Sequence, residues 1–280
     1  MIFKKIAIIG VGLIGGSIGE AVKKRRLAGT VVGIGHRASS IDEAIARGAI
    51  DKGTLDAVKG VAGADLVIIA TPVCLIPGFG KKVSRSLKKG CIVTDVGSTK
   101  SSIVGQLEKS MPAGVDFVGS HPLAGSEKRG VVSAREDLFK GSVVIMTKTK
   151  KTDKAALNKL GSFWKSLGAG RIVIKSPEEH DRIVAQISHL PHIAAAALVN
   201  SASDESLEFA STGFRDATRI AASDPGIWRD ICVTNRKEIV RALDNYARNL
   251  AKIKKLVKDG SGAKLRRELE RSRARRESLR

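Results

Sequence analysis

Through the first 175 residues, short apolar runs alternate with stretches whose apolar positions recur at helical spacing. Strands are predicted at 5–9, 31–34, 66–70, 91–96, 117–120, 143–147 and 171–174, with helices between them at 13–25, 40–47, 75–87, 101–109 and 153–167. A run such as Ile6-Ala7-Ile8-Ile9 is apolar on both faces. Strands of that kind, separated by helices, hide their side chains best in a mainly parallel sheet covered on both sides. After Pro177 the strand pattern stops. The remainder of the chain reads as helices, including an Ala-rich one at 193–200 and a long one from 227 to 258. Gly260-Ser261-Gly262 reads as a hinge before a last helix of alternating Arg and Glu. The expected class is α/β, with a sheet domain over 1–175 and an all-α domain over 176–280.

Composition supports this division. A chain of 280 residues accommodates two ordinary domains. Its hydrophobic content of 42% with a mean hydropathy of −0.03 fits cores inside a soluble protein. Met1-Ile2-Phe3-Lys4-Lys5 enters a strand at once, without a signal-peptide layout, and no apolar run reads as long enough to cross a membrane. Cys74, Cys91 and Cys232 show neither metal nor Cys-x-x-Cys spacing, so reduced thiols and a cytoplasmic location are expected.

Charge adds a constraint on partners. The net charge is +21, of which only +5 falls in 264–280. No nucleic-acid module and little aromatic interleaving accompany it. The expectation is a solvated basic surface compatible with a small anionic substrate, with neither nucleic acid nor membrane as partner.

The first strand runs into Gly10-Val11-Gly12-Leu13-Ile14-Gly15-Gly16-Ser17. Gly10 permits the tight turn, Gly12 a close backbone approach to a pyrophosphate, and Gly15 close packing of helix on strand. The helix opened by Leu13 and Ile14 then offers free N–H groups to the phosphates. A GxGxxG alone is a weak signal, but here it ends a strand, opens a helix and begins a βαβ pattern. A Rossmann-type dinucleotide site is expected. At the end of the second strand, Gly35 stands where an NAD enzyme usually carries an acid. Arg37, with Ser39 and His36, suits a 2′-phosphate, so NADP is favoured and NAD possible. Thr71 and Pro72 end the next main strand, at the nicotinamide end of the crevice.

Farther along come Asp95-Val-Gly-Ser-Thr-Lys100, Gly119-Ser-His-Pro-Leu-Ala-Gly-Ser-Glu127, Ser188-His-Leu-Pro-His192, Gly213-Phe-Arg-Asp-Ala-Thr-Arg219 and Ser223-Asp-Pro-Gly-Ile-Trp-Arg229. With the glycine fingerprint, these motifs in this order resemble the prephenate dehydrogenase family, which includes arogenate and cyclohexadienyl dehydrogenases. The resemblance implies a Rossmann domain, a helical domain that forms a homodimer, and oxidative decarboxylation of prephenate to 4-hydroxyphenylpyruvate. Hydride leaves the ring C4 for the nicotinamide, a base takes the C4 hydroxyl proton, and carbon dioxide departs as the ring aromatises. No metal is needed. By the same resemblance His121 is the base and Ser98 contacts the same hydroxyl, although Ser98 or Thr99 also reads as the N-cap of the following helix. Lys100 reads either as a solvated first-turn lysine or as added positive potential.

The resemblance further makes His192 a substrate contact, His189 a structural residue and Arg219 the anchor for a substrate carboxylate. Asp216 is expected to orient Arg219, Trp228 to wall the pocket, and Ser126 and Glu127 to shape its mouth. Arogenate stays open as the substrate. More distant are the 3-hydroxyacid and 6-phosphogluconate dehydrogenases, whose catalytic-lysine helix is replaced here by Gly119-Ser-His-Pro122, and a nucleotide-binding module without turnover.

Overall fold

The structure, a computed structural model, describes residues 1–125 and 130–279. In its first part β1 (Phe3–Ile9), α1 (Leu13–Lys24), β2 (Ala28–Ile34), α2 (Ala38–Ala46), β3 (Lys52–Thr54), α3 (Ala57–Val61), β4 (Leu66–Ile69), α4 (Ile76–Val83), β5 (Ile92–Asp95), α5 (Ser101–Leu107) and β6 (Asp116–Val118) come in succession. The six strands form one parallel sheet in the order β3-β2-β1-β4-β5-β6. The strands explain the apolar runs by alternation: Ile6, Ile8, Leu66 and Ile68 enter the core on one face, and Ala7, Ile9, Val67 and Ile69 the core on the other. The winding reverses between β1 and β4, which opens a crevice at the carboxyl ends of the strands. β3 and α3 were not predicted. Lys52-Gly53-Thr54 is a short edge strand with no apolar run, and α3 is one short helix capped by the Asp56 carboxylate.

The predicted strand at 117–120 is two strands in two sheets. β6 ends at Val118, and β7 (Ser120–Pro122) joins β8 (Val143–Thr147) and, beyond α6 (Lys154–Ser166), β9 (Arg171–Lys175). β7 and β8 are antiparallel, while β8 and β9 are parallel. Gly119 is the crossover. Its carbonyl accepts from the Thr147 N–H at 2.8 Å. A Cβ there would lie 2.6 Å from Thr147 Oγ1, so only glycine lets the two sheets meet so closely.

From Ser176 onward the described chain is helical. α7 (Pro177–Val184) opens with a capping box between Ser176 and Glu179 and with proline in its first turn. It continues through a π-helical turn, Ala185–His189, into α8 (Leu190–Ser201). Pro177–Ser201 is thereby one helix of 25 residues, long and apolar enough by length and composition to cross a membrane, against the expectation that no run is. α9 (Asp204–Leu207), α10 (Thr212–Thr218), a 3-10 turn Arg219–Ala222 and α11 (Pro225–Thr234) come next. The single helix expected over 227–258 is interrupted at Asn235 (φ −114°, ψ 28°), after which α12 (Arg236–Lys258) and α13 (Gly262–Glu277) complete the chain.

Two compact units result, Met1–Arg236 and Lys237–Arg280. Within the second, Gly260 takes φ +62° between the helices, and Lys252 Nζ meets Glu268 Oε2 at 2.5 Å.

Candidate functional site

The glycine turn has the shape a dinucleotide requires. Gly10 adopts φ +99°, and a Cβ on it would fall 2.6 Å from the Ala70 carbonyl oxygen. A Cβ on Gly15 would fall 1.9 Å from the Gly10 oxygen, so α1 packs against the turn only because residue 15 is glycine. Gly12 differs, since a Cβ there would meet nothing within 4 Å. Open space thus lies over Gly12, before Leu13 and Ile14. α1 has neither a side-chain cap nor an acid in its first turn, so its amide groups and positive end face that space. This cradle fits a pyrophosphate. At the end of β2, a Cβ on Gly35 would press on Ile41 at 3.0 Å, which disfavours an acid there. His36, Arg37 and Ser39 are exposed around the start of α2, and Thr71 and Pro72 lie just past the carboxyl end of β4.

His121 sits in the middle of β7, paired with Ile145 of β8. Its Nδ1 lies 2.8 Å from His180 Nε2, and His180 Nδ1 lies 2.8 Å from Asp181 Oδ1. Asp181 also accepts from the backbone N–H groups of Lys100 at 2.7 Å and Ser101 at 2.9 Å. The start of α5 is therefore capped by a carboxylate from α7, and neither Ser98 nor Thr99 caps it. Thr99 instead donates to Thr234 Oγ1 at 3.0 Å. Ser98 is half-buried and makes no hydrogen bond to His121 among the described residues.

Burial pushes the His121 pKa well below its ordinary value, with the nearby His180, Lys100 and His189 acting in the same direction. Burial also lowers His180, against the pull of Asp181. Burial raises Asp181, but hydrogen bonds from His180 and Ser101 outweigh it and hold the carboxyl below the usual range. Two neutral imidazoles in line with a carboxylate result at neutral pH.

Lys100 is not a solvated lysine. It is fully buried, and its ammonium meets Asp95 Oδ2 at 2.5 Å. Asp95 ends β5 and also accepts from the N–H of Gly97 at 2.8 Å and of Ser120 at 3.4 Å. The Ser120 hydroxyl bonds Thr94 Oγ1 at 2.9 Å and accepts from Trp164 Nε1 at 3.2 Å. The strand carrying His121 is thereby tied to the carboxyl end of β5, on the crevice side of the sheet.

The same network reaches the other histidines. Asn235 Nδ2 donates to the Asp181 carbonyl at 2.8 Å and lies 3.2 Å from His189 Nδ1. His189 meets the Trp228 ring edge-on, and His192 stacks on Trp228 with centroids 3.5 Å apart and an interplanar angle of 8°. Among the described residues His192 Nδ1 is buried and has no hydrogen-bond partner, which is compatible with a ligand there. Arg219 begins the 3-10 turn that packs on α8, the helix carrying His192. Arg219 and Asp216 are exposed and make no ion pair with each other among the described residues, so the expected orienting contact is not formed. Ser126 and Glu127 lie outside the described residues.

Sequence reasoning missed His180, Asp181 and Asn235. Ser176-Pro177-Glu178-Glu179 marks a helix start and so sets the helical position of His180, but no local spacing links it to His121, 59 residues earlier.

Two family models cover the chain: "Prephenate dehydrogenase, nucleotide-binding domain" matches residues 18–173, and "Prephenate dehydrogenase, dimerization domain" matches residues 176–271. The prephenate dehydrogenase of Bacillus subtilis is 40% identical over 259 residues, which are 90% of this chain and 70% of that one. A crystal structure of prephenate dehydrogenase from A. aeolicus, in complex with hydroxyphenyl propionate and NAD+, superposes with a TM-score of 0.92 at 33% identity, covering 99% of this chain and 98% of that one. The arogenate dehydrogenase of Synechocystis superposes with a TM-score of 0.85 at 29% identity, covering 99% and 100%.

Proposed function

The chain belongs to the prephenate dehydrogenase family, and on that premise we propose that it oxidatively decarboxylates prephenate to 4-hydroxyphenylpyruvate. The observation that carries the reading is a neutral imidazole, His121, on a strand tied to the cofactor edge of the sheet. A nicotinamide dinucleotide, when bound, supplies the hydride acceptor. Gly10, Gly12, Leu13, Ile14 and Gly15 hold its pyrophosphate, and Thr71 and Pro72 border its nicotinamide end. His121 takes the proton from the C4 hydroxyl. Ser98 contacts the same hydroxyl, while Arg219 and His192 hold the anionic substrate against Trp228, with Asp216, Ser126 and Glu127 around the pocket. The division between the nucleotide-binding and helical domains falls at Lys175, and the helical domain pairs two copies of the chain.

NADP is the favoured cofactor, because Gly35 puts no carboxylate against a 2′-phosphate and Arg37 stands exposed beside it. Arogenate, which carries an amino group in place of the side-chain ketone, is a second reading supported by the likeness to the Synechocystis enzyme. The test is a matrix of NAD+ or NADP+ with prephenate or arogenate, followed by the absorbance of reduced cofactor. Prephenate turnover with a higher kcat/KM for NADP+ is expected. Turnover of arogenate alone transfers the reading to the second substrate, and a tenfold preference for NAD+ reverses the cofactor assignment.

A further inference from the structure

The polar chain behind His121 has one consistent arrangement of protons. Asp181 accepts the Lys100 and Ser101 N–H groups and is held ionised, so it has no proton to give. His180 Nδ1, 2.8 Å from its Oδ1, must then be the donor. A neutral His180 protonated on Nδ1 carries its lone pair on Nε2, and this atom faces His121 Nδ1 at 2.8 Å. His121 Nδ1 must therefore carry a hydrogen and donate it. The other nitrogen of His121, Nε2, keeps the lone pair.

We propose that His180, held by Asp181, is a positioning residue that fixes His121 as the Nδ1–H tautomer and leaves His121 Nε2 as the proton-accepting atom. The proposal rests on the dehydrogenase reading and deepens it, because it specifies which atom takes the hydroxyl proton. It also gives that proton's charge a destination. As Nε2 takes the substrate proton, the Nδ1 proton of His121 passes to His180 Nε2. The positive charge then rests on His180, whose Nδ1–H already bonds the Asp181 carboxylate. One proton enters the chain, one shifts within it, and no other group is consumed.

The remaining charged neighbours make this transfer useful. Lys100 and His189 both oppose a cation on His121, and the Lys100 ammonium is already paired with Asp95. Asp181 is the carboxylate bonded to the imidazole chain. Asn235 at the end of α11 holds the backbone of Asp181 through its carbonyl, and Lys100 and Ser101 at the start of α5 hold its carboxylate, so the acceptor end is fixed from two elements. A neutral imidazole in water favours the Nε2–H form, so an Nδ1–H tautomer at both histidines is a specific signature of this arrangement.

Two measurements on the full-length protein test it. The first is long-range proton–nitrogen NMR of the 15N-histidine-labelled enzyme at neutral pH, with the His121 signals assigned by their loss in His121→Asn. Nδ1–H tautomers at His121 and His180 are expected, and an Nε2–H tautomer at His121 in the wild type would overturn the proposal. The second is steady-state kinetics of His180→Phe and His180→Gln. His180→Phe should lower kcat by about 10–100-fold while KM for cofactor and substrate stays within about threefold. His180→Gln should recover most of that loss, because its amide oxygen accepts from His121 Nδ1–H. Wild-type kcat in His180→Phe, or a Gln variant as impaired as the Phe variant, would count against the role. Where His180→Phe does not fold, the wild-type tautomer decides. Were the wild type to turn over neither prephenate nor arogenate, the dehydrogenase reading would fail, and the tautomer measurement would still judge the histidine chain by itself.

Discussion

In the proposed reaction a proton transfer falls to His121, and its surroundings set the pH range in which it can accept one. His121→Asn should bind cofactor as the wild type does but lower kcat by about 10²–10⁴-fold, with a smaller effect on KM. A kcat within a few-fold of wild type would remove His121 from the base role. The groups facing His121 are His180, Lys100 and His189, and each adds to the effect of burial in disfavouring its cation. The base form is therefore lost only as pH falls through a value below the ordinary histidine range. The kcat/KM profile should stay flat from neutral pH down past about 6.5 and decline only in more acidic buffer. An inflection at or above that value would contradict the assignment. The same sign governs stability. His180, His189 and His192 are also lowered by burial, His189 to about 4, so the unfolded chain binds protons first on acidification. Stability should fall between the ordinary histidine pKa and about 4, as urea midpoints across that range will show. Arg219, the proposed carboxylate anchor, is exposed and without an ion pair among the described residues. Arg219→Ala should raise KM for the substrate roughly 10- to 150-fold, the range of a hydrogen bond to a charged group. An unchanged KM would place the carboxylate anchor elsewhere.

Elements bring these residues together in ways that local pattern only half reveals. At about 100° per residue, the twelve positions from His180 to His192 would leave them about 120° apart on a uniform α-helix. The π turn at Ala185–His189 absorbs one residue and reduces that to about 20°, so both histidines share a face. Pro191 is the visible cause, since it has no N–H for the carbonyl of Ile187, four residues before it. The apolar pattern predicted an Ala-rich helix here, and Pro191 was the one local sign that its period would change. The long helix expected over 227–258 breaks for a comparable reason, because Asn235 turns its amide to the Asp181 carbonyl and His189, partners far away in the chain. The start of α5 belongs to this scale too. Its predicted caps, Ser98 and Thr99, are replaced by Asp181, while Lys100 is buried on Asp95. Lys100→Met should leave the Asp95 carboxylate buried and uncompensated, at a cost of about 3–5 kcal/mol in urea unfolding. A loss below about 1 kcal/mol would show that the pair contributes little to holding β5, β7 and α5 together.

For the whole molecule, the parallel sheet was legible because strands such as β1 and β4 are buried on both faces and so read as unbroken apolar runs. The local pattern left out the tertiary features: the passage of the chain into a second sheet at Gly119, and the meeting of that sheet with α7. Assembly also belongs to this scale. The region 176–271 matches a dimerization domain, and exposed apolar side chains within it are available for that pairing. Only 28% of the most apolar window of Pro177–Ser201 is buried, and Ile187 and Leu198 are 62% and 44% exposed. Phe209 and Val233, and in the second unit Tyr246, Leu250 and Val257, are exposed as well. Ile231 and Ile239 are buried and do not belong to that exposed set. A two-fold pairing of such faces should cover more than about 2,000 Å², the scale of an obligate interface. The exposed face of α13 carries i,i+4 pairs, Arg266 with Glu270 and Arg273 with Glu277, which suit a solvated helix. Light scattering at micromolar concentration should give twice the 29.7 kDa chain mass. Deletion of residues 264–280 should leave that dimer intact, whereas Leu198→Asp should dissociate it. A wild-type monomer would refute the assembly, and a dimer lost only with the tail would move its interface away from α8.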